Sequence, residues 1–352
     1  MKKFFSAFCL LTSALSYAQA TFSSPESVEF DQANNRWIVG NNAAGTVVFY
    51  YPSSATTVQF ASGLGTGPHG IETMGTDVYV CDGAYIRGYD LATGSNNFNL
   101  NTGATFLNGI TTDGSTYLFA TDFSAKKIYR INPAANAYNI MCSTIKTPNG
   151  IIYDGANNRL VFVTWGSNAP IQAVSLADST ISTMTTTTLS NCDGVTRDNA
   201  GYWYVTNWGA NSLVRFTPTF TTPTTVMTGL TSPADIDINT AGDSIGIPNN
   251  GTLSNVVFYT GITTSISESI NPSSISLAPN PAVDHLRISF GENQFSGSME
   301  IYSVDGQLVK SETVNGYSVI TDVNGLSNGN YFVAFRSEKG EIIARKEFSV
   351  VR

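Results

Sequence analysis

Six residues at one recurring position carry the chemistry expected of this sequence: Glu26, His69, Asn108, Asn149, Asp193 and Ala234. They stand second in Pro25-Glu26-Ser27-Val28, Pro68-His69-Gly70-Ile71, Leu107-Asn108-Gly109-Ile110, Pro148-Asn149-Gly150-Ile151, Cys192-Asp193-Gly194-Val195 and Pro233-Ala234-Asp235-Ile236. Successive slots are 43, 39, 41, 44 and 41 residues apart. Glu26, Asn149 and Asp193 offer carboxylate, amide and carboxylate oxygens, a hard donor set suited to a divalent cation such as calcium. No Cys/His cluster favours zinc. His69 or Asp193 could activate a water as general base, and Asn108 could orient a substrate. His285 lies outside the repeats and reads as structural.

The slots need a scaffold that brings them together. Each cassette continues with a short apolar strand, a turn such as Asp113-Gly114-Ser115, and a second strand (36–42, 77–83, 117–123, 159–165, 202–208 and 243–249). A third strand and a weaker Ser/Thr-rich fourth strand, such as 56–62, lead back to the next slot. These segments are rich in Val, Ile, Tyr, Phe and Thr, and their turns in Gly, Asn and Asp, as antiparallel strands require. Six four-stranded repeats predict a six-bladed β-propeller over residues 21–261, whose slots converge on one axis. Asn-Gly and Asp-Gly are also ordinary turn signals. However, each cassette has its own turn downstream, and the slot is Glu26 or His69 in other copies. The closing strand of the sixth blade is open between residues 21–23 and 262–267.

Composition narrows the partners. The first 20 residues combine Lys2-Lys3, an apolar run and Ala18-Gln19-Ala20, the pattern of a secretory signal peptide. The run is too short for a membrane-spanning helix, so no transmembrane anchor is expected in the mature chain. The formal charge of −8 becomes −10 without the two lysines; an acidic surface with no Lys/Arg cluster argues against nucleic acid. Cys81, Cys142 and Cys192 follow the signal segment. Their spacing is not that of a metal site, and one disulfide among them is open.

Between Ile262 and Ser276, eight of fifteen residues are Ser or Thr, which reads as a linker. Residues 277–352 then carry six strand candidates, enough for a small β-sandwich. Four motifs mark this end: Ala278-Pro279-Asn280-Pro281-Ala282, Ile301-Tyr302-Ser303-Val304-Asp305-Gly306, Leu326-Ser327-Asn328-Gly329-Asn330-Tyr331 and Lys346-Glu347-Phe348.

These motifs closely resemble the type A sorting domain of the type IX secretion system of Bacteroidetes. The resemblance implies export through the type IX machinery to the medium or the cell surface. The slots resemble those of the SMP-30/gluconolactonase and paraoxonase-type propellers, where a first-blade Glu, an Asn and an Asp hold the metal. Here they match Glu26, Asn149 and Asp193, with Asn108 at the site; His69-Gly70-Ile71 resembles the paraoxonase catalytic His motif. Two features depart from these families: Gly194 stands where paraoxonases carry Asn, and the substrate-contacting Arg of SMP-30-like proteins has no counterpart. The resemblance implies a secreted calcium-dependent hydrolase acting on a small lactone or related ester. The alternatives are a non-catalytic surface propeller binding a glycan or protein around a structural metal, and an NHL-type lyase using His69 and magnesium.

Overall fold

The computed structural model describes residues 21–262, 275–291, 295–337 and 342–352; the signal segment and most of the linker lie outside them. The chain divides into two compact units at Thr263–Thr264. No helix among the described residues is long and apolar enough to cross a membrane.

The first unit is the propeller. Five four-stranded antiparallel sheets and one three-stranded sheet follow in chain order. Their first strands are Pro25–Asp31, Ile71–Met74, Leu107–Thr112, Thr147–Asp154, Cys192–Arg197 and Asp237–Ile238. Each first strand contacts the next around the ring, and the sixth returns to the first. Second strands are buried along nearly all their length, as in Arg36–Asn41, whereas a fourth strand such as Asn96–Asn101 is largely exposed. That gradient explains the apolar runs early in each cassette and the polar ones late. Apolar clusters join neighbouring blades: Ile38, Val47 and Phe49 of the first pack on Ile71, Val78 and Val80 of the second.

The ring closes between blades six and one. The Asp235 amide donates to the Glu26 carbonyl at 3.0 Å, and Ser27 and Asp235 form a parallel bridge. Phe258 stacks on Tyr50 at 5.8 Å and tilts against Trp37 at 5.4 Å across the same seam. Among the described residues the sixth blade has three strands, and Thr21–Ser23 adds none to it; residues 263–267 lie outside the description.

The slots differ in one respect from the expectation that the first strand follows them. In blades one, three, four and five the slot lies inside the strand, at a register shift such as that between Pro148 and Ile151. A bulge turns the slot side chain away from the ladder and toward the axis. Cys81, Cys142 and Cys192 are free thiols, so no disulfide joins them.

The second unit is a β-sandwich. Ser276–Ala278, His285–Ser289 and Ser318–Asp322 form one sheet; Leu308–Gly316, Phe295–Ser303, Gly329–Ser337 and Ile342–Val350 form the other. Phe290, Phe295 and Phe335 meet at 4.9–5.7 Å in its core. The Arg352 guanidinium donates to the carbonyls of Val323, Leu326 and Val283. The strand Ser276–Ala278 begins one residue inside the stretch read as linker.

Candidate functional site

Backbone contacts bring the slots together. A Cβ on Gly70 would lie 2.3 Å from the Asn108 carbonyl oxygen of the next blade. On Gly109 it would lie 2.6 Å from that of Asn149, on Gly150 2.3 Å from that of Asp193, and on Gly194 2.8 Å from that of Ala234. None of these glycines has positive φ. They are present because two first strands approach too closely for a side chain, not because a turn needs them. The Asn-Gly and Asp-Gly pairs are therefore packing signals within strands.

All six slot residues are buried, Asn149 and Asp193 to 1% and 2% exposure. Burial, then the neighbouring Asp193 and Asp235 carboxylates, push the Glu26 carboxyl well above its usual range. Burial raises Asp193 to about 7, against the pull of the Asn149 amide. Glu26, Asn149 and Asp193 are thus electrostatic neighbours. Asn149 Oδ1 and Asp193 Oδ1 are buried without a hydrogen-bond partner. No Lys or Arg pairs with Glu26, Asp193 or Asp235 among the described residues. Buried, unpaired carboxylates cost several kcal/mol, so this set needs either protons or a cation. No three Asp, Glu, His or Cys side chains gather as metal ligands among the described residues; the donor set is two carboxylates with an amide.

His69 lies in the same ring. Its Nε2 faces Asn42 Nδ2 at 3.1 Å, while Nδ1 is buried without a hydrogen bond. With the amide donating to Nε2, the neutral ring carries its proton on Nδ1. Burial lowers its pKa to about 4, against the nearby Asp82 carboxylate and Gly67 carbonyl. His69 is therefore a neutral donor at pH 7 in this arrangement rather than a free base. Asn108 contributes its carbonyl, which accepts the Gly70 N–H at 2.7 Å.

Several positioning residues escaped the sequence reading. Asn250 Nδ2 donates to Glu26 Oε2 at 2.5 Å. Asn42 and Asn250 both stand just past their second strands, so one offset in each cassette serves two slots. The last residue of the second strand holds the loop entering the slot: Asn41, Asp82, Asp122, Asn207 and Asn249 accept the N–H of Ser23, Thr66, Thr105, Ser190 and Thr231. Thr121 Oγ1 accepts the Gly109 N–H at 2.9 Å and donates to the Asn149 carbonyl at 2.8 Å; Thr206 bridges Gly194 and Ala234 in the same way.

A second ring lies three residues further along each first strand: Glu29, Glu72, Thr111, Ile152, Thr196 and Asp237. Asp237 accepts the Phe30 N–H at 2.9 Å, Glu29 the Thr73 N–H at 3.1 Å, and Thr111 the Tyr153 N–H at 3.2 Å. These three side chains thereby satisfy backbone donors of the next blade, whereas Thr196 Oγ1 has no partner. Burial raises Asp237 to about 6 and pushes Glu29 and Glu72 well above the carboxylate range.

Residues 276–347 match the secretion system C-terminal sorting domain. That domain points to type IX secretion and to a secreted or cell-surface location. No curated protein sequence matches the chain. Among solved structures, the chain is similar to a calcium-binding protein, regucalcin, from Agrobacterium tumefaciens, with TM-score 0.57, 15% identity, and coverage of 70% of this chain and 94% of that one. A gluconolactonase from Xanthomonas campestris gives TM-score 0.54 and 14% identity, covering 66% and 84%. Virginiamycin B lyase from Staphylococcus aureus gives 0.51 and 17%, covering 66% and 79%. At these identities the likeness is one of fold. The chain is a six-bladed β-propeller followed by a type IX secretion sorting domain.

Proposed function

We propose that the propeller is an exported, calcium-dependent hydrolase of lactone or related ester bonds. The observation that carries this reading is the pair of buried, unpartnered oxygens on Asn149 and Asp193 beside a carboxyl of Glu26 that has no basic partner. The donor set fits a hard divalent cation, with Glu26, Asn149 and Asp193 as its holders. A bound calcium would supply Lewis-acid polarisation of the substrate carbonyl.

The chain's own groups divide the remaining work. Asn250 fixes the Glu26 carboxylate, and Asn42 fixes the imidazole of His69. The Nδ1–H of His69 is placed to donate to an oxygen that gains charge during acyl transfer. Asp193, a buried carboxylate of the same ring, is the group suited to take a proton from the attacking water. Asn108, in the same ring, orients the substrate. Ala234 leaves the sixth position without a polar group and so leaves room beside the acids.

Residues 21–352 should therefore hydrolyse members of a panel of aliphatic, aryl and sugar lactones, and a chelator should abolish the activity. Asp193→Ala should be inactive with an unchanged circular dichroism spectrum. Turnover that persists in chelator, or in Asp193→Ala, would overturn the proposal.

A further inference from the structure

One layer outside the slot ring, the six blades present unequal side chains. The residues just past the second strands are Asn42, Gly83, Phe123, Trp208 and Asn250, and in the fourth blade the strand's last residue, Trp165, takes this level. Their level follows from backbone pairing with the residue two before the slot. Asn42 N–H donates to the Ser24 carbonyl, Phe123 to Phe106, Trp208 to Asn191 and Asn250 to Ser232, while Trp165 pairs with Thr147. Blades six, one and two therefore give amides and a glycine, and blades three to five give aromatic rings.

The rings form a continuous arc. His69 meets Phe106 edge-on at 4.6 Å, Phe106 meets Phe123 at 5.7 Å, Phe123 meets Trp165 at 5.7 Å, and Trp165 meets Trp208 at 5.2 Å. The four rings beyond His69 are half-buried, so each keeps an open face or edge. The amides opposite are already engaged: Asn42 contacts His69, and Asn250 holds Glu26 and the Ser24 carbonyl. In this layer the unpaired buried side-chain polar atom is Trp208 Nε1. A site that read several hydroxyls would need free donors and acceptors here; this layer offers ring surface and the two indole N–H groups of Trp165 and Trp208, the latter buried and unpaired.

We infer that the substrate carries an apolar acyl or aryl body beside its scissile bond, seated on the wall of Phe106, Phe123, Trp165 and Trp208. This inference rests on the hydrolase reading for its reaction but not for its binding. Trp208 Nε1 serves a single acceptor on that body, outside the lactone ring. A polyhydroxylated sugar lactone would leave its hydroxyls unpaired against the rings.

The test compares γ-butyrolactone with the same lactone bearing a linear alkyl tail, in the wild-type chain and in Trp165→Ala and Trp208→Leu. A buried methylene contributes about 0.8 kcal/mol, or about fourfold, so kcat/KM for the tailed lactone should be at least about tenfold higher in wild type. Both variants should lose that preference and keep the activity on γ-butyrolactone within about threefold. A second readout needs no turnover. Trp37 and Trp203 are buried in the blades, so a tailed, non-hydrolysable lactam should shift the emission of Trp165 and Trp208 alone. An emission shift without hydrolysis of any lactone would uphold the aromatic wall while the hydrolase reading fell. The inference is overturned by an unchanged emission spectrum, by variants that lower both lactones alike, or by a wild-type preference for sugar lactones.

Discussion

Raising the pH from 6.5 to 8.0 in the presence of a chelator should loosen the propeller, and the structure gives the sign and the size. Glu29 and Glu72 have carboxyls pushed well above their usual range, chiefly by burial. A group whose folded pKa is raised holds a proton that the unfolded chain has lost. Its contribution to stability is therefore complete below the unfolded pKa and declines as the pH climbs toward the folded one. Each proton so retained costs about 1.4 kcal/mol per pH unit, or about 2 kcal/mol over this interval.

Glu26, Asp193, Asp235 and Asp237, also raised by burial, act in the same direction. His69, lowered to about 4, adds stability between about pH 4 and its unfolded value near 6.5 and nothing more above it. Asp82 and Asp113, whose carboxyls accept backbone N–H bonds and are lowered, act only near and below the ordinary aspartate value. The free thiols enter near pH 8.5 and above. For a domain of this size, about 2 kcal/mol corresponds to a fall in Tm of roughly 4–8 °C. Differential scanning calorimetry of residues 21–352 would measure it. Glu72→Gln, which cannot titrate but keeps a partner for Thr111, should reduce the slope, by up to about one proton. A Tm that is flat or rising from pH 6.5 to 8.0, or an unaltered slope in Glu72→Gln, would refute the reasoning.

Three further outcomes follow from the same geometry. Thr121→Val leaves the Gly109 N–H and the Asn149 carbonyl without their partner, so urea unfolding should show a loss of about 2–5 kcal/mol. Gly150→Ala places a methyl 2.3 Å from the Asp193 carbonyl oxygen; backbone cannot swing aside, and the same assay should show at least about 1–3 kcal/mol lost. Asn250→Ala frees the Glu26 carboxylate, and calorimetric calcium affinity should weaken by about 10-fold or more.

The slot ring was legible because its offset repeats and its residue types share one chemistry. Second strands were legible to within one or two residues: 117–123 became Leu118–Asp122, while Arg159–Trp165 matched. The second ring was hidden because its offset mixes Glu29, Glu72 and Asp237 with Thr111, Ile152 and Thr196. A position that accepts an N–H bond tolerates either a carboxylate or a hydroxyl, so no single type recurs. Asn42 read as the end of strand 36–42 and Asn250 fell just past strand 243–249; only the fold shows them reaching His69 and Glu26. The role of Gly109 and Gly150 was also concealed, because a turn and a close strand approach call for the same residue.

The central claim is that Glu26, Asn149 and Asp193 hold a divalent cation. Isothermal titration of calcium into residues 21–352 tests it most directly. The account predicts saturable binding in the wild-type chain and its loss in Glu26→Gln/Asn149→Ala with the fold intact by circular dichroism. Undiminished calcium affinity in that double variant, or no binding by a folded wild-type chain, would contradict it.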